Sequence, residues 1–349
     1  MIERGKLRRA SFIFSIIVHR HFTTIRYNKG KGGMIVRFKL LGIIFLSSLL
    51  VACNHSAYPE VDKQIDFIAS VNIQEPSIDF IDETGKQLAV WPLAEAYSGA
   101  TLIGDDRILL YGHDLEHADI FQLSTGERVT EIETGEGTTN ALYDEVTKLV
   151  YLANSWTNTV SAYDENGQER STQKVGKYPM SMIRYNHQLF VVNFKDTMLS
   201  VLDAKTLQKQ HEWKIPASSN GLVAVNDELW IGGHGSGSIP NDNVVRLNIK
   251  TGDMLKKVKL PMMPIAFLKD NNAIYVLSHG ENVLHKLDID GNEISSKEVG
   301  ANPFTLASFS GHIIVAGYDD HKIYWTNGTE VERSQTVGTG PFQLLVREK

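Results

Sequence analysis

A short turn returns along this chain about every forty residues. Val175-Gly176-Lys177-Tyr178-Pro179, Val299-Gly300-Ala301-Asn302-Pro303 and Val337-Gly338-Thr339-Gly340-Pro341 share one pattern, and weaker copies occupy Gly135–Thr138, Pro216–Ser219 and Pro261–Pro264. The copies fall at 135, 176, 216, 261, 300 and 338, with spacings of 41, 40, 45, 39 and 38 residues. Such a period constrains the fold more than any local propensity, because each repeat is one supersecondary unit that buries its apolar face only by stacking on its neighbours.

Between the turns the order is constant: a short strand, a stronger β-branched or aromatic strand, a loop, a third strand, a polar turn and a fourth strand. The second strands align as Ile108–Tyr111, Leu149–Leu152, Leu189–Val192, Leu229–Gly232, Ile274–Leu277 and Ile313–Ala316. Runs this short cannot be told from buried helix by periodicity. Turn chemistry decides, since the third strands end in Ser124-Thr125-Gly126, Asp164-Glu165-Asn166-Gly167, Asp203-Ala204-Lys205-Thr206, Asn248 to Gly252, Asp290-Gly291-Asn292 and Asn327-Gly328. Asx side chains and positive-φ glycines make tight hairpins.

Four-stranded units in tandem are the pattern of an all-β, β-propeller fold. Six units lie between about residue 94 and Gly338. A seventh is split: Ile65–Trp91 supplies three strands, with Asp82-Glu83-Thr84-Gly85 as the hairpin, and Pro341–Val346 supplies the missing first strand. The reading is therefore a seven-bladed β-propeller over residues 65–349, closed by pairing of the C-terminal strand with the N-terminal blade, which removes an open edge. Six or eight blades is the alternative, through the weak first unit.

The segment Val150-Tyr151-Leu152-Ala153-Asn154 through Val160-Ser161-Ala162-Tyr163-Asp164, followed by Val175–Pro179, resembles the YVTN-type propeller repeat, and Leu189–Asp203 is similar. That family includes surface-layer and exported proteins and propeller domains of redox enzymes. Its motif specifies a blade rather than an activity, so the resemblance implies no catalytic residue.

In propellers, the loops joining second to third strands and those between blades gather on one face around the channel, where sites form. Aligned second strands put His113, Asn154, Phe194, His234, His279 and Tyr318 at one position. Three histidines invite a metal reading. They belong to the second, fifth and sixth blades, too dispersed for one shared ion, so the expected role is to cap strand ends by bonding loop backbone. The glycine-rich stretch Gly232–Asn243 reads as a flexible surface insertion. The acidic loops Asp114–Asp119 and Asp319-Asp320-His321 could hold Ca²⁺, with solvated surface charge as the simpler reading. Trp156 falls in a loop on this face and could stack on a ligand, whereas Trp91, Trp213, Trp230 and Trp325 fall on or beside strands and are expected to pack between blades.

Ahead of the repeats, Arg37 and Lys39 precede an apolar run, Leu40 to Leu50, that ends in Leu50-Val51-Ala52-Cys53. A run of this length is too short to span about 30 Å of hydrocarbon and suits a signal-peptide core. It resembles a bacterial lipoprotein signal, which implies cleavage before Cys53, lipidation of its thiol and anchoring on the extracytoplasmic side of the cell membrane, or on the outer membrane of a diderm. Residues 34–52 are then the signal peptide and residues 53–64 a tether. The basic residues 1–33, ending in Lys29-Gly30-Lys31-Gly32-Gly33 before Met34, read as an untranslated extension.

Ten of the 35 basic residues but only one of the 41 acids fall in residues 1–52, leaving the remainder at about −15. That balance argues against nucleic-acid binding, which rests on neutralising phosphates. Cys53 is the sole cysteine, so the domain has no disulfide and no haem-attachment motif. No resident cofactor is expected, and a monomer is. The leading expectation is a non-enzymatic platform that presents its loop face to a protein or a cell-envelope ligand. The alternative is a metal-dependent hydrolase or lactonase at the channel mouth, and a third reading is a redox accessory domain binding a quinone cofactor.

Overall fold

The computed structural model describes residues 57–349. Cys53, the signal segment and the extension before Met34 lie outside the described residues. Those described form seven four-stranded antiparallel sheets and one two-residue ribbon, with no helix among them. The strands Phe67–Asn72, Ser77–Ile81 and Gln87–Pro92 make the first blade with Pro341–Arg347, which lies antiparallel to Phe67–Asn72 in the register Ile68–Val346 and Ser70–Leu344. The fold is a seven-bladed β-propeller closed by its last strand.

Seven apolar clusters fill the ring, one between each pair of neighbouring blades. The second strands show why their sequences lack alternation. In the fourth blade, Leu189 and Val191 face the third blade while Phe190 and Val192 face the fifth. Both faces of the strand are covered, so every residue is apolar. The outer strands have the opposite character: Glu169–Lys174, Glu293–Glu298 and Val331–Thr336 are largely exposed and charged or polar, which blunts the free edges.

The hairpin turns follow the Asx chemistry. Asp164 Oδ1 accepts from the backbone N–H of Asn166 (2.9 Å) and Gln168 (3.0 Å), and Asp82, Asp203, Asn248 and Asn327 act alike. In the sixth blade the acceptor is Asp288 rather than Asp290, which donates its N–H to it. Trp91, Trp230 and Trp325 are fully buried between blades and Trp213 nearly so.

Packing begins earlier than Ile65. Tyr58 stacks on Trp91 at 4.7 Å, its N–H donates to the Gly126 carbonyl, and buried Val61 donates to the Leu123 carbonyl. The 53–64 segment read as a tether therefore includes residues held against the first two blades. Gly126 is part of that fit. It has φ +68°, and a Cβ there would lie 1.8 Å from the Tyr58 carbonyl oxygen.

Candidate functional site at the channel mouth

Six of the seven inner strands carry an irregularity near their first residue. Pro179 pairs with Asn193 and Ser181 with Val192, which leaves Met180 as an extra residue. The same slip leaves Ile265, Phe304, Phe342 and Thr139 unpaired, and a related slip involves Asn220. A bulge bends the strand and re-aims a side chain. Here the bulged residues line one cavity of about 260 Å³ at the channel mouth, together with Tyr111, His234 and Gln343. The second blade has no bulge. Tyr111 takes the space instead by lying over Gly99, where a Cβ would come within 2.2 Å of its hydroxyl oxygen.

The wall of this mouth has two halves. From the first blade round to the fifth, side chains stitch neighbouring inner strands: Gln343 exchanges two 2.8 Å hydrogen bonds with the Ala100 backbone, Thr139 donates to the Pro179 carbonyl (2.6 Å), and Ser181 donates to Asn220 (2.5 Å). From the fourth blade on to the first, rings replace them. Phe194, His234, His279, Phe304 and Phe342 follow one another at centroid separations of 5.7, 6.0, 4.4 and 5.3 Å.

His234 and His279 are therefore neighbours, while His113 stands apart, edge-on to Trp156 at 6.0 Å. Strand pairing also corrects the alignment by one residue at one position: Ser155, rather than Asn154, follows the residue paired with the start of the inner strand. The capping expectation holds for Asn154, whose Oδ1 accepts from the N–H of Trp156 and Thr157 at 3.0 Å. It does not hold for the histidine rings. His113 bonds the Asp114 carboxylate and the Ser155 hydroxyl, and the Nδ1 atoms of His234 and His279 are buried without a partner.

Burial holds both imidazoles below their ordinary value, with repulsion from His279 adding to the effect at His234. At His279 the Pro303 carbonyl and Asp319 oppose the burial. The unfolded chain takes up protons below about pH 6.5 that the folded rings refuse, so their stabilising contribution is present above that pH and lost as pH falls. The thermal midpoint should thus drop between pH 7.5 and 5.5, and drop less in a His234→Gln/His279→Gln double variant. Equal drops would place the acid sensitivity elsewhere.

The acidic loops do not converge on the mouth. Asp114 is almost fully exposed, Asp319 is exposed, and Asp320 accepts from the Tyr324 hydroxyl. Among the described residues, no Asp, Glu, Lys or Arg lines the cavity. The glycine-rich stretch is a hydrogen-bonded ribbon, Gly235–Ser236 against Ile239–Pro240, anchored by the Asn241 N–H to the His234 carbonyl. It presents Ile239 at 75% exposure, and Trp156 is 58% exposed. The sequence reading missed Met180, Ile265, Phe304 and Phe342, although each directly follows the proline of the repeat turn.

No protein-family model matches the chain, and no curated protein does. Similar solved structures do exist. Dihydro-heme d1 dehydrogenase NirN in complex with DHE superposes at a TM-score of 0.62 with 12% identity over 80% of this chain, which spans 65% of the NirN chain. Apo AztD from Citrobacter koseri gives 0.56 with 12% identity, covering 81% of this chain and 97% of that one. BamB from Moraxella catarrhalis gives 0.53 with 18% identity, covering 72% and 76%. At these identities the likeness is one of fold.

Proposed function

We propose that the chain is a lipid-anchored, extracytoplasmic propeller of the YVTN type that binds a protein partner at the channel mouth without transforming it. The observation that carries this reading is the neutral, ring-walled cavity to which all seven blades contribute. Its volume of about 260 Å³ lies below the ~300–1,000 Å³ of pockets that engulf a drug-sized ligand. It suits an apolar side chain projecting from a partner better than an enclosed quinone. Exposed Trp156 and Ile239 on the same face supply further apolar contact area, and aromatic residues of this kind dominate binding energy at interfaces. No observation favours the hydrolase reading, which needs carboxylates at the mouth.

A photo-crosslinking amino acid placed at Phe304 or Trp156 in living cells should give a discrete protein adduct, and one at Thr84, in a turn of the opposite face, should give none. Equal adducts at both faces, or none at either, would overturn the reading. Once the partner is in hand, Trp156→Ala should weaken binding by about 30-fold, the loss of an aromatic hot spot worth about 2 kcal/mol. Its thermal midpoint should stay unchanged, because the side chain is exposed.

A further inference from the structure

We propose that Glu95, His117 and Asp119 form a divalent-cation site at the junction of the first and second blades, and that the metal is of the zinc type. These are the only three metal-ligating side chains among the described residues that meet within 4.8 Å. Glu95 comes from the connector between the blades, and His117 and Asp119 from the third strand of the second blade, His117–Gln122. The sequence reading placed the last two in an acidic calcium-type loop with Asp114. The structure separates them, since Asp119 is buried in a strand while Asp114 faces solvent.

The spacing fits a tetrahedral ion. His117 Nε2 lies 3.4 Å from Glu95 Oε2 and 3.2 Å from Asp119 Oδ2. Ligands about 2.0–2.1 Å from zinc stand about 3.3–3.4 Å apart along a tetrahedral edge. A second observation concerns direction rather than distance: Nε2 is shut off from solvent and, although both carboxylates lie within ion-pair range, it makes no well-aligned hydrogen bond to either, a costly state for a buried polar atom. A cation among the three groups would take its lone pair and relieve it.

The surrounding groups orient the ligands, as outer partners of metal sites do. Tyr97 donates to Asp119 Oδ2, and Arg128 holds Asp119 Oδ1 at 2.9 Å and Glu131 at 2.7 Å. One imidazole and two carboxylates suit zinc, whereas calcium takes six to eight oxygens. Three protein ligands leave a fourth position open, and the Glu95 side chain is 40% exposed. The bound ion would fasten the connector to the second blade. The inference does not depend on the channel-mouth reading.

The test is titration of the full chain, stripped with a chelator, with Zn²⁺ alone in competition with a chromophoric chelator, and with Co²⁺ for its visible spectrum. One Zn²⁺ per chain, tetrahedral Co²⁺ bands and a Zn²⁺-dependent rise in thermal midpoint are expected, since a ligand of the folded state stabilises it by mass action. His117→Asn and Glu95→Gln should each weaken binding by more than about 100-fold, the upper end of what outer partners contribute. His234→Gln should leave it unchanged. Glu95 is half exposed, so its variant remains informative if His117→Asn folds poorly. Zn²⁺ bound equally by Glu95→Gln, or no rise in midpoint at saturating Zn²⁺, would overturn the site and leave a protonated His117 bridging two carboxylates.

Discussion

Deleting residues 341–349 is expected to abolish cooperative unfolding of the whole ring rather than to remove one strand from it. The lost strand supplies the inner edge of the first blade, and Leu344 is buried in the cluster that seals the first blade to the seventh. It also carries Arg347, which is 4% exposed, sits 4.3 Å over the Phe67 ring and donates to the carbonyls of Asp62, Ile65 and Asp105. Without the strand, the backbone groups of Phe67–Asn72 face an open groove, and an unpaired buried backbone group costs about as much as a lost hydrogen bond. Thermal melts followed by circular dichroism and tryptophan fluorescence should lose their sharp, coincident transition, and a synthetic 338–349 peptide should restore it in part. The milder Arg347→Ala should cost about 3 kcal/mol, because it strands several carbonyls at about 1–3 kcal/mol each. A truncated chain that melts at the wild-type midpoint would show that the ring does not need its clasp.

Trp91→Ala should have the largest effect of any single substitution considered, about 3–5 kcal/mol, as expected for a large aromatic removed from a packed core. Its ring is fully buried against Tyr58, Phe80 and Phe121, and its Nε1 donates to the Pro59 carbonyl at 2.8 Å. The substitution therefore opens a cavity and also releases the segment that enters the domain. Two measurements separate these effects. Chemical denaturation reads the stability loss, and trypsin cleavage after exposed Lys63 under native conditions should accelerate. If stability falls while Lys63 stays protected, Val61 and Arg347 hold the segment without the tryptophan.

Repetition made the blades legible. A turn recurring six times carries its own internal check, and the split blade followed from what remained at either end. The second strands betrayed themselves by lacking a pattern, because both faces of a strand such as Leu189–Val192 are covered. The channel mouth was harder to read. Its lining comes from bulges, and a bulge adds one residue to a strand without changing its composition, so Met180, Ile265, Phe304 and Phe342 looked like ordinary strand starts. Equally, no one-dimensional alignment could bring Glu95 to His117 and Asp119, because an inter-blade connector and a third strand meet only when the blades pack. The histidines at the loop starts were visible as a set. Which of them touch depended on their blades being adjacent.

The point at which the chain joins the ring bears on how the protein would stand at a membrane. Tyr58 is clasped to Gly126, in a turn between third and fourth strands, whereas the ring-walled mouth opens among the loops that leave the second strands. In an antiparallel four-stranded blade those two kinds of connection lie at opposite ends. If Cys53 carries lipid as proposed, only four residues separate it from Tyr58, a leash of at most about 18 Å when fully stretched. The disc would then rest with its back to the bilayer and its opening turned outward, so that a partner arriving from the aqueous side would meet the mouth directly.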